Sequence, residues 1–341
     1  MSYNFIHTIR YMGIKNKLLD DIIPEIEKIT KPGDVICDLM AGTNTIGYAL
    51  KTRNVIYSND IQYYSYILAK CLLSNELIPD INETRNDLES NYNLNLKKHM
   101  YSFFVDNYTD TYFAGDQCAE IDSFRYAISK ISNFYKQCFY LTALMSAMCK
   151  AQSTPGHFAQ YMNKDHRRVI PLRKLSISKL FYEKINDLQR IVKSNYTNKQ
   201  FNMDYKALFE TEEFKNVSCV YLDSPYTSDQ YSRFYHILET ICKYDNPDLK
   251  FKAKYRTDRV QSDFCYKKNV SKEFEYIISF CKNNNISLVI SYSNHGVITV
   301  EELLKICNKY FSNTKVKYID YNHSSQGNGV IDIKEVLIIL S

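Results

Sequence analysis

The sequence predicts an α/β protein, a doubly wound and mainly parallel sheet into which a block of helices is inserted. Three observations predict it. Short apolar runs such as DVICDL (residues 34–39) read as strands buried on both faces. These runs alternate with helical patterns, as a parallel sheet requires of its connections. From about residue 64 to residue 195 the strand-like runs all but stop and helical spacing takes over.

Residues 18–29 (LLDDIIPEIEKI) carry apolar side chains near helical spacing, with Pro24 compatible with a helix only near its start or at a kink. Pro32-Gly33 punctuates, and the first strand, residues 34–39, reaches Asp38 before AGTNTIG (41–47) opens a helix. A second strand, residues 55–58, ends in Asn59-Asp60. Helical periodicity in the central block is plainest over 121–131 and 134–150. Strand runs return at 199–203, 217–222, 286–292, 315–321 and 335–340, with helices at 272–283 and 300–311 between several of them. The last two runs are joined by NHSSQGNGVIDI (322–333), whose Gly and Asn suit a reversing turn and an antiparallel pair at one sheet edge. The expected division is therefore a frame made of residues 1–63 and 199–341, with a helical insertion over 64–198.

A chain of 341 residues can bury the core of one such domain or of two smaller ones. Its ten cysteines show no C-x-x-C pair and no Cys/His cluster at zinc spacing, which reads as reduced structural thiols and no metal site. The first twenty residues lack a signal-peptide core, and no run approaches the roughly 18 apolar residues of a membrane span. A soluble, cytoplasmic protein is expected. The net charge of +5 is mild, and fits a polyanionic partner only if the cations gather on one face.

In an open parallel sheet ligands bind beyond the carboxyl ends of the strands, so residues just after strands are the first candidates. Asp38 and Gly42 stand there; the turn equally fits a tight connection. Asp60, some 20 residues after the glycine turn at the end of the next strand, is placed to accept from both ribose hydroxyls, and also fits a helix cap. No G-x-G-x-x-G and no G-K-S/T is present for a pyrophosphate or triphosphate, so a phosphate-free nucleoside such as S-adenosylmethionine fits better.

CVYLDSPYTSDQY (219–231) runs apolar up to Asp223 and then turns. A carboxylate at a strand end, followed by a turn carbonyl from Ser224, offers two acceptors to one exocyclic amine and turns its lone pair toward an incoming methyl group. Tyr226 supplies a flat face for a base. The bland alternative is an Asp-Ser-Pro turn with a core tyrosine.

In their order along the chain these stretches resemble the Dam-type (alpha-group) N6-adenine DNA methyltransferases of bacterial restriction-modification systems. RYMGIKNKLLDDI (10–22) is similar to the family's N-terminal cofactor motif, DLMAGTNTIG (38–47) to its F-x-G-x-G loop, SNDIQ (58–62) to its ribose motif and DSPY (223–226) to its D-P-P-Y. QYSRFYHILETI (230–241) and GHFAQY (156–161) also have counterparts in members. Met40 and Asn44 stand where the family has Phe and a second Gly, and Ser224 where it has Pro.

The resemblance implies a class I S-adenosylmethionine-dependent fold, with a seven-stranded sheet and an antiparallel edge strand. It implies Tyr11, Lys15, Asp38, Gly42, Asn44, Asp60, Asp204 and Asp223 as cofactor-binding residues. Asp223, Ser224, Pro225 and Tyr226 become the catalytic residues, acting on the N6 amine of an adenine flipped out of duplex DNA. No covalent intermediate and no metal are implied. The insertion becomes the target-recognition region, where Lys164, Arg167, Arg168, Arg173, Lys174 and Lys179 are candidate phosphate contacts. A second basic group, Lys250, Lys252, Lys254, Arg256 and Arg259, is a candidate to hold the strand around the flipped base. The alternative for the first group is a solvated basic helix face. Tyr231, Arg233 and His236 are candidates for the target pocket, though Phe234, Ile237, Leu238 and Ile241 nearby read as a core face. A monomer is expected, with any cognate restriction endonuclease encoded separately. Transfer to cytosine N4, methylation of RNA or protein, and a noncatalytic DNA-binding relative remain alternatives; Asp at position 223 favours adenine.

Overall fold

The computed structural model describes residue 3, residues 5–320 and residues 333–341. Nine strands are present among them: β1 Val35–Asp38, β2 Val55–Asn59, β3 Lys199–Phe201, β4 Val217–Leu222, β5 Leu249–Lys250, β6 Tyr255–Arg256, β7 Ser287–Ser293, β8 Thr314–Asp320 and β9 Lys334–Leu340. Seven of them form one sheet in the order β3-β2-β1-β4-β7-β9-β8. The pairs from β3 to β7 are parallel, and β9 runs antiparallel to both β7 and β8. The antiparallel pair stands at one edge, and its reversed strand, the last in the chain, lies one place in from that edge. The expected turn between these strands falls outside the described residues.

Strand order reverses between β1 and β4, which opens a crevice at the carboxyl ends of these strands. Successive strand residues serve opposite faces. Ile36, Cys219, Tyr221, Leu337 and Ile339 join the core on one side, while Cys37, Val220, Leu222, Ile338 and Leu340 join that on the other. This double burial is why the strands read as apolar runs.

The helix Leu19–Ile29 buries Leu19, Ile22, Ile23 and Ile26 against the first face. Pro24 lies inside that helix and removes its own N–H; the four buried side chains, each stabilising by about 1.5–3 kcal/mol, outweigh the lost bond. Lys315 and Lys317, alternate residues of β8, pair with Glu25 at 2.8 Å and Asp21 at 2.7 Å, which fastens the edge strand to the helix.

The central block is helical, with Ile81–Lys98, Phe103–Tyr108, Gly115–Ser129, Phe134–Ala151 and Ile177–Leu188. Phe124, Phe139, Leu144 and Phe181 belong to the same core as Ile36 and Ile56, so this block shares the frame's first hydrophobic layer. Helix Tyr63–Leu73 bridges the two parts, and its N–H groups at Tyr63 and Tyr64 donate to Glu239 at 3.2 and 3.1 Å. All ten cysteines are free and buried.

Candidate active site

A cleft lies beyond the carboxyl ends of β1, β2 and β4. Residues 11–15, 38–43, 59–62, 203–206, 223–226, 230–232 and 260–264 all contribute to its walls. Of the residues expected at the cofactor, Tyr11, Lys15, Asp38, Gly42, Asp60, Asp204 and Asp223 line this single cleft. Asp223, Ser224, Pro225 and Tyr226, expected at the target base, line it too.

The turn after β1 is held by its neighbours. Gly42 has φ +50°, and a Cβ there would stand 3.2 Å from the Tyr11 ring, so glycine alone lets the tyrosine close over the turn. The Gly42 N–H donates to Asp60 at 2.9 Å, and its carbonyl accepts from the Ser65 hydroxyl at 2.7 Å. Asn44 is a correction. It is fully buried and absent from the cleft wall. With φ +62° it occupies the left-handed region, which Asn tolerates better than most residues. Its amide donates to the Ser65 carbonyl at 3.1 Å and accepts from the Ser58 hydroxyl at 2.5 Å. Asn44 replaces the family's glycine because the backbone still turns left-handed there, and its side chain pins the loop from behind.

Asp60 takes N–H donors on both oxygens, from Gly42 and, at 2.8 Å, from Gln62. Burial lifts its carboxyl to about 6 while the two N–H groups restrain it. Each oxygen keeps a second lone pair for a ligand hydroxyl. Asp204, at the outer end of the cleft, is exposed and caps the helix Tyr205–Phe209 through the Lys206 N–H at 2.8 Å.

At the inner end the Asp223 carboxylate, about 22 % exposed, lies 2.9 Å from the Lys15 ammonium. Lys15 is buried and also lies 3.2 Å from Glu335, on β9. Burial works against the Lys15 charge, but the two carboxylates hold its pKa well above the usual range. Burial raises Asp223 to about 6, with Lys15 pulling it down and Glu335 pushing it up. Asp38 is 2 % exposed, and burial, then the nearby Asp223, lift it to about 8. Burial and Asp223 thus both favour the protonated form of the Asp38 carboxyl.

Tyr226 is half-buried at the cleft, where its hydroxyl would stand 3.1 Å from a Cβ on Gly13, whose φ is +74°. The carbonyl of Tyr226 accepts from the Val297 N–H at 3.0 Å, which ties the turn to the loop after β7. Tyr11 stacks on Tyr235 at 4.5 Å, and the Met12 N–H donates to the Tyr235 hydroxyl at 2.7 Å. The N-terminal segment is thereby clamped over the cleft.

Of the three neighbours proposed for a target pocket, Tyr231 lines the cleft. Arg233 stands beside it, paired with Asp229 at 2.6 Å. His236 is a correction: it is fully buried, its Nε2 lies 3.0 Å from the Phe158 carbonyl, and burial lowers its pKa to about 3. It is a core histidine, buried like its neighbours Phe234, Ile237, Leu238 and Ile241.

The basic segment of the insertion is a chain of turns, a 3-10 turn at Leu172–Lys174 and the start of the helix Ile177–Leu188, which carries Lys179. Lys164, Arg167, Arg168, Lys174 and Lys179 are exposed on it. Lys164, at 3.1 Å, and the half-buried Arg173 both pair with Asp110. In the second group Lys250 and Lys252 are exposed, while Lys254 is intermediate. Arg256 is a correction. It is 2 % exposed and paired with Asp245 at 2.6 Å and Asp258 at 2.8 Å, so it braces the β5–β6 hairpin and is not open to phosphate. Arg259 is partly exposed, over the Tyr255 ring at 4.9 Å and next to cleft-lining Val260.

Two features escaped the sequence reading. The loop 260–264 closes one side of the cleft, held by the Ser262 N–H donating to the Gln230 side chain at 2.7 Å. Glu335 reads in the sequence as an ordinary strand-edge acid, and only the placement of β9 brings it to Lys15.

Residues 11–306 match the family described as D12 class N6 adenine-specific DNA methyltransferase. Among curated proteins the chain is 27 % identical to modification methylase LlaI of Lactococcus lactis subsp. lactis, over 97 % of this chain and 54 % of that protein. It is 29 % identical to type II methyltransferase M.FokI of Planomicrobium okeanokoites, over 87 % of this chain and 46 % of that protein. It therefore spans about half the length of these two relatives. With type II methyltransferase M.NlaIII of Neisseria lactamica the identity is 26 %, over 89 % of this chain and 88 % of that protein.

Proposed function

We propose that this chain, which belongs to the D12 class N6 adenine-specific DNA methyltransferase family, moves a methyl group from S-adenosylmethionine to the N6 amine of an adenine extruded from duplex DNA. We place it as the modification enzyme of a restriction-modification system, as the names of its relatives suggest for them. The observation that carries the reading is that Asp223 and Ser224 share one cleft with Asp38, Asp60 and Asp204.

The cleft's chemistry fits the proposed donor. Its walls include apolar Leu39, Met40, Ile61, Met203 and Phe264 beside carboxylates at both ends, and the Ser224 hydroxyl is buried there with no partner among the described residues. When bound, S-adenosylmethionine supplies an electrophilic methyl group on a sulfonium. Asp60 would hold the ribose hydroxyls, Asp204 the adenine end, and Asp38 the cationic methionine end.

The remaining steps belong to the chain's own groups. The ionised Asp223 and the Ser224 backbone carbonyl accept the two N–H bonds of the target amine, which aims its lone pair at the donor; as the nitrogen–methyl bond forms and the sulfur–methyl bond breaks, the excess proton on the amine leaves along its bond to Asp223 and passes to solvent. Tyr226 stacks on the base, and stacking with these hydrogen bonds offsets the few kcal/mol that extrusion costs. Positioning and exclusion of water supply most of the rate. No thiol is needed, and the ten cysteines are buried.

We place target recognition in the helical block 64–198, where exposed Lys164, Arg167, Arg168 and Lys174 suit phosphate contacts. Among the described residues no helix is long and apolar enough to cross a membrane. The test is calorimetric titration with S-adenosylmethionine, followed by labelled-methyl transfer to mixed-sequence duplex DNA. Binding with transfer supports the reading, and failure to bind the donor overturns it.

A further inference from the structure

Strand β9 is apolar from Val336 to Leu340 but begins beside a buried acid, Glu335, which is 3 % exposed. It stands opposite Ser293 of β7 in the sheet, accepts from the Ser291 hydroxyl, and lies 3.2 Å from the Lys15 ammonium. The same ammonium is 2.9 Å from Asp223. One lysine thus serves two carboxylates, and the trio is net negative when all three are ionised. Burying a second acid in this way costs free energy that an apolar residue would not.

We propose that Glu335 is a positioning residue for methyl transfer, which shares Lys15 with Asp223 so that Asp223 stays oriented but only partly neutralised. A lysine held by Asp223 alone would satisfy more of its charge and weaken it as an acceptor for the target amine. With Glu335 drawing on the same ammonium, Asp223 remains electron-rich toward the cleft. This inference rests on the proposed role of Asp223.

Other titratable groups around the trio are Asp38, whose carboxyl the Asp223 charge pushes up, and the phenols of Tyr221, Tyr226 and Tyr231. Burial raises Tyr221 and Tyr231 well above the usual tyrosine range, so these phenols stay neutral at working pH. The charges that matter are therefore Lys15, which favours ionised Asp223, and Glu335, which opposes it. Removing the Glu335 charge leaves Lys15 to Asp223 and must ease its ionisation.

The test compares kcat/KM for DNA methylation against pH in wild type, Glu335→Gln and Glu335→Asp. In Glu335→Gln the acid limb should move to lower pH by about one unit, as loss of a nearby like charge dictates. Its plateau should fall about tenfold, a loss of about 1.4 kcal/mol of transition-state stabilisation, while affinity for S-adenosylmethionine changes by less than about threefold. Glu335→Asp keeps the charge and should restore the limb. An unmoved limb in Glu335→Gln overturns the proposal. Should that variant not fold, carboxyl-carbon NMR of the wild-type protein decides: titration steps shared between the Asp223 and Glu335 resonances support shared charge, and an Asp223 titration with no step in common with Glu335 overturns it. Absence of any methyl transfer by the wild type would instead overturn the reading on which this inference rests.

Discussion

The Lys15 ammonium and the Asp223 carboxylate meet at 2.9 Å, joining the N-terminal segment to the turn after β4 at the inner end of the cleft. Asp223 is the acceptor on which the proposed chemistry depends. Asp223→Asn keeps the size but replaces one accepting oxygen with a donor, while Lys15 retains Glu335. Methyl transfer should fall by about 10²–10³-fold or more, comparable to loss of a preorganised polar group, with donor affinity within a few fold. Single-turnover transfer beside calorimetry checks this, and activity within tenfold of wild type contradicts it.

Asp38 gives a pH-dependent prediction. Its carboxyl rises from the usual 3.8 to about 8 in the folded protein, so the native state holds a proton that the unfolded chain has lost across that window. The stabilisation is complete below the unfolded value and disappears as pH rises through about 8. Asp38→Asn should therefore raise the melting temperature of the ligand-free protein by several degrees near pH 8 and little near pH 4. The same change should weaken S-adenosylmethionine binding, because the ionised carboxylate attracts a cation. In wild type the affinity should rise more steeply with pH than in the variant. Melting curves and titrations at matched pH test both signs.

Asn44 separates backbone strain from side-chain bonding. Asn44→Ala loses the contacts to Ser58 and Ser65 and leaves a Cβ residue at φ +62°. Asn44→Gly loses the same contacts but relaxes the backbone. Alanine should be less stable than glycine by about 1 kcal/mol, the usual cost of a left-handed residue. Urea unfolding of the two variants reads this difference, and equal stability would contradict the loop geometry.

The basic residues should divide into two classes. Arg256→Ala removes a buried guanidinium from the more exposed Asp245 and Asp258 and should cost about 1–3 kcal/mol of stability. Exposed Arg167 and Arg168 should hardly affect folding. If they meet phosphate, removing each should lower the slope of log affinity against log salt by about 0.9. Unfolding curves and salt-dependent DNA binding distinguish the two behaviours.

Strands 217–222 and 55–58 were legible in the sequence because burial on both faces leaves an apolar run with few competing readings. Asp38, Gly42, Asp60 and Asp223 were legible because each follows such a run, where the carboxyl ends of parallel strands meet. The site of Glu335 was not, since it depends on β9 inserting between β7 and β8, a register that no local pattern encodes. Arg256 looks like any cation in a polar stretch, and its burial follows from the hairpin that brings Asp245 and Asp258 to it; His236 stands in an apolar run, and its bond to the Phe158 carbonyl is a long-range contact. Asn44 lies in the expected loop, but its side chain bonds Ser58 and Ser65 and does not line the cleft, which no local pattern shows.

The most direct measurement is mass spectrometry of nucleosides from mixed-sequence duplex DNA incubated with the protein and isotopically labelled S-adenosylmethionine. Labelled N6-methyladenine, absent with Asp223→Ala, is the predicted result. Labelled N4-methylcytosine, or bound donor with no methylated base across DNA of varied sequence, would contradict the account.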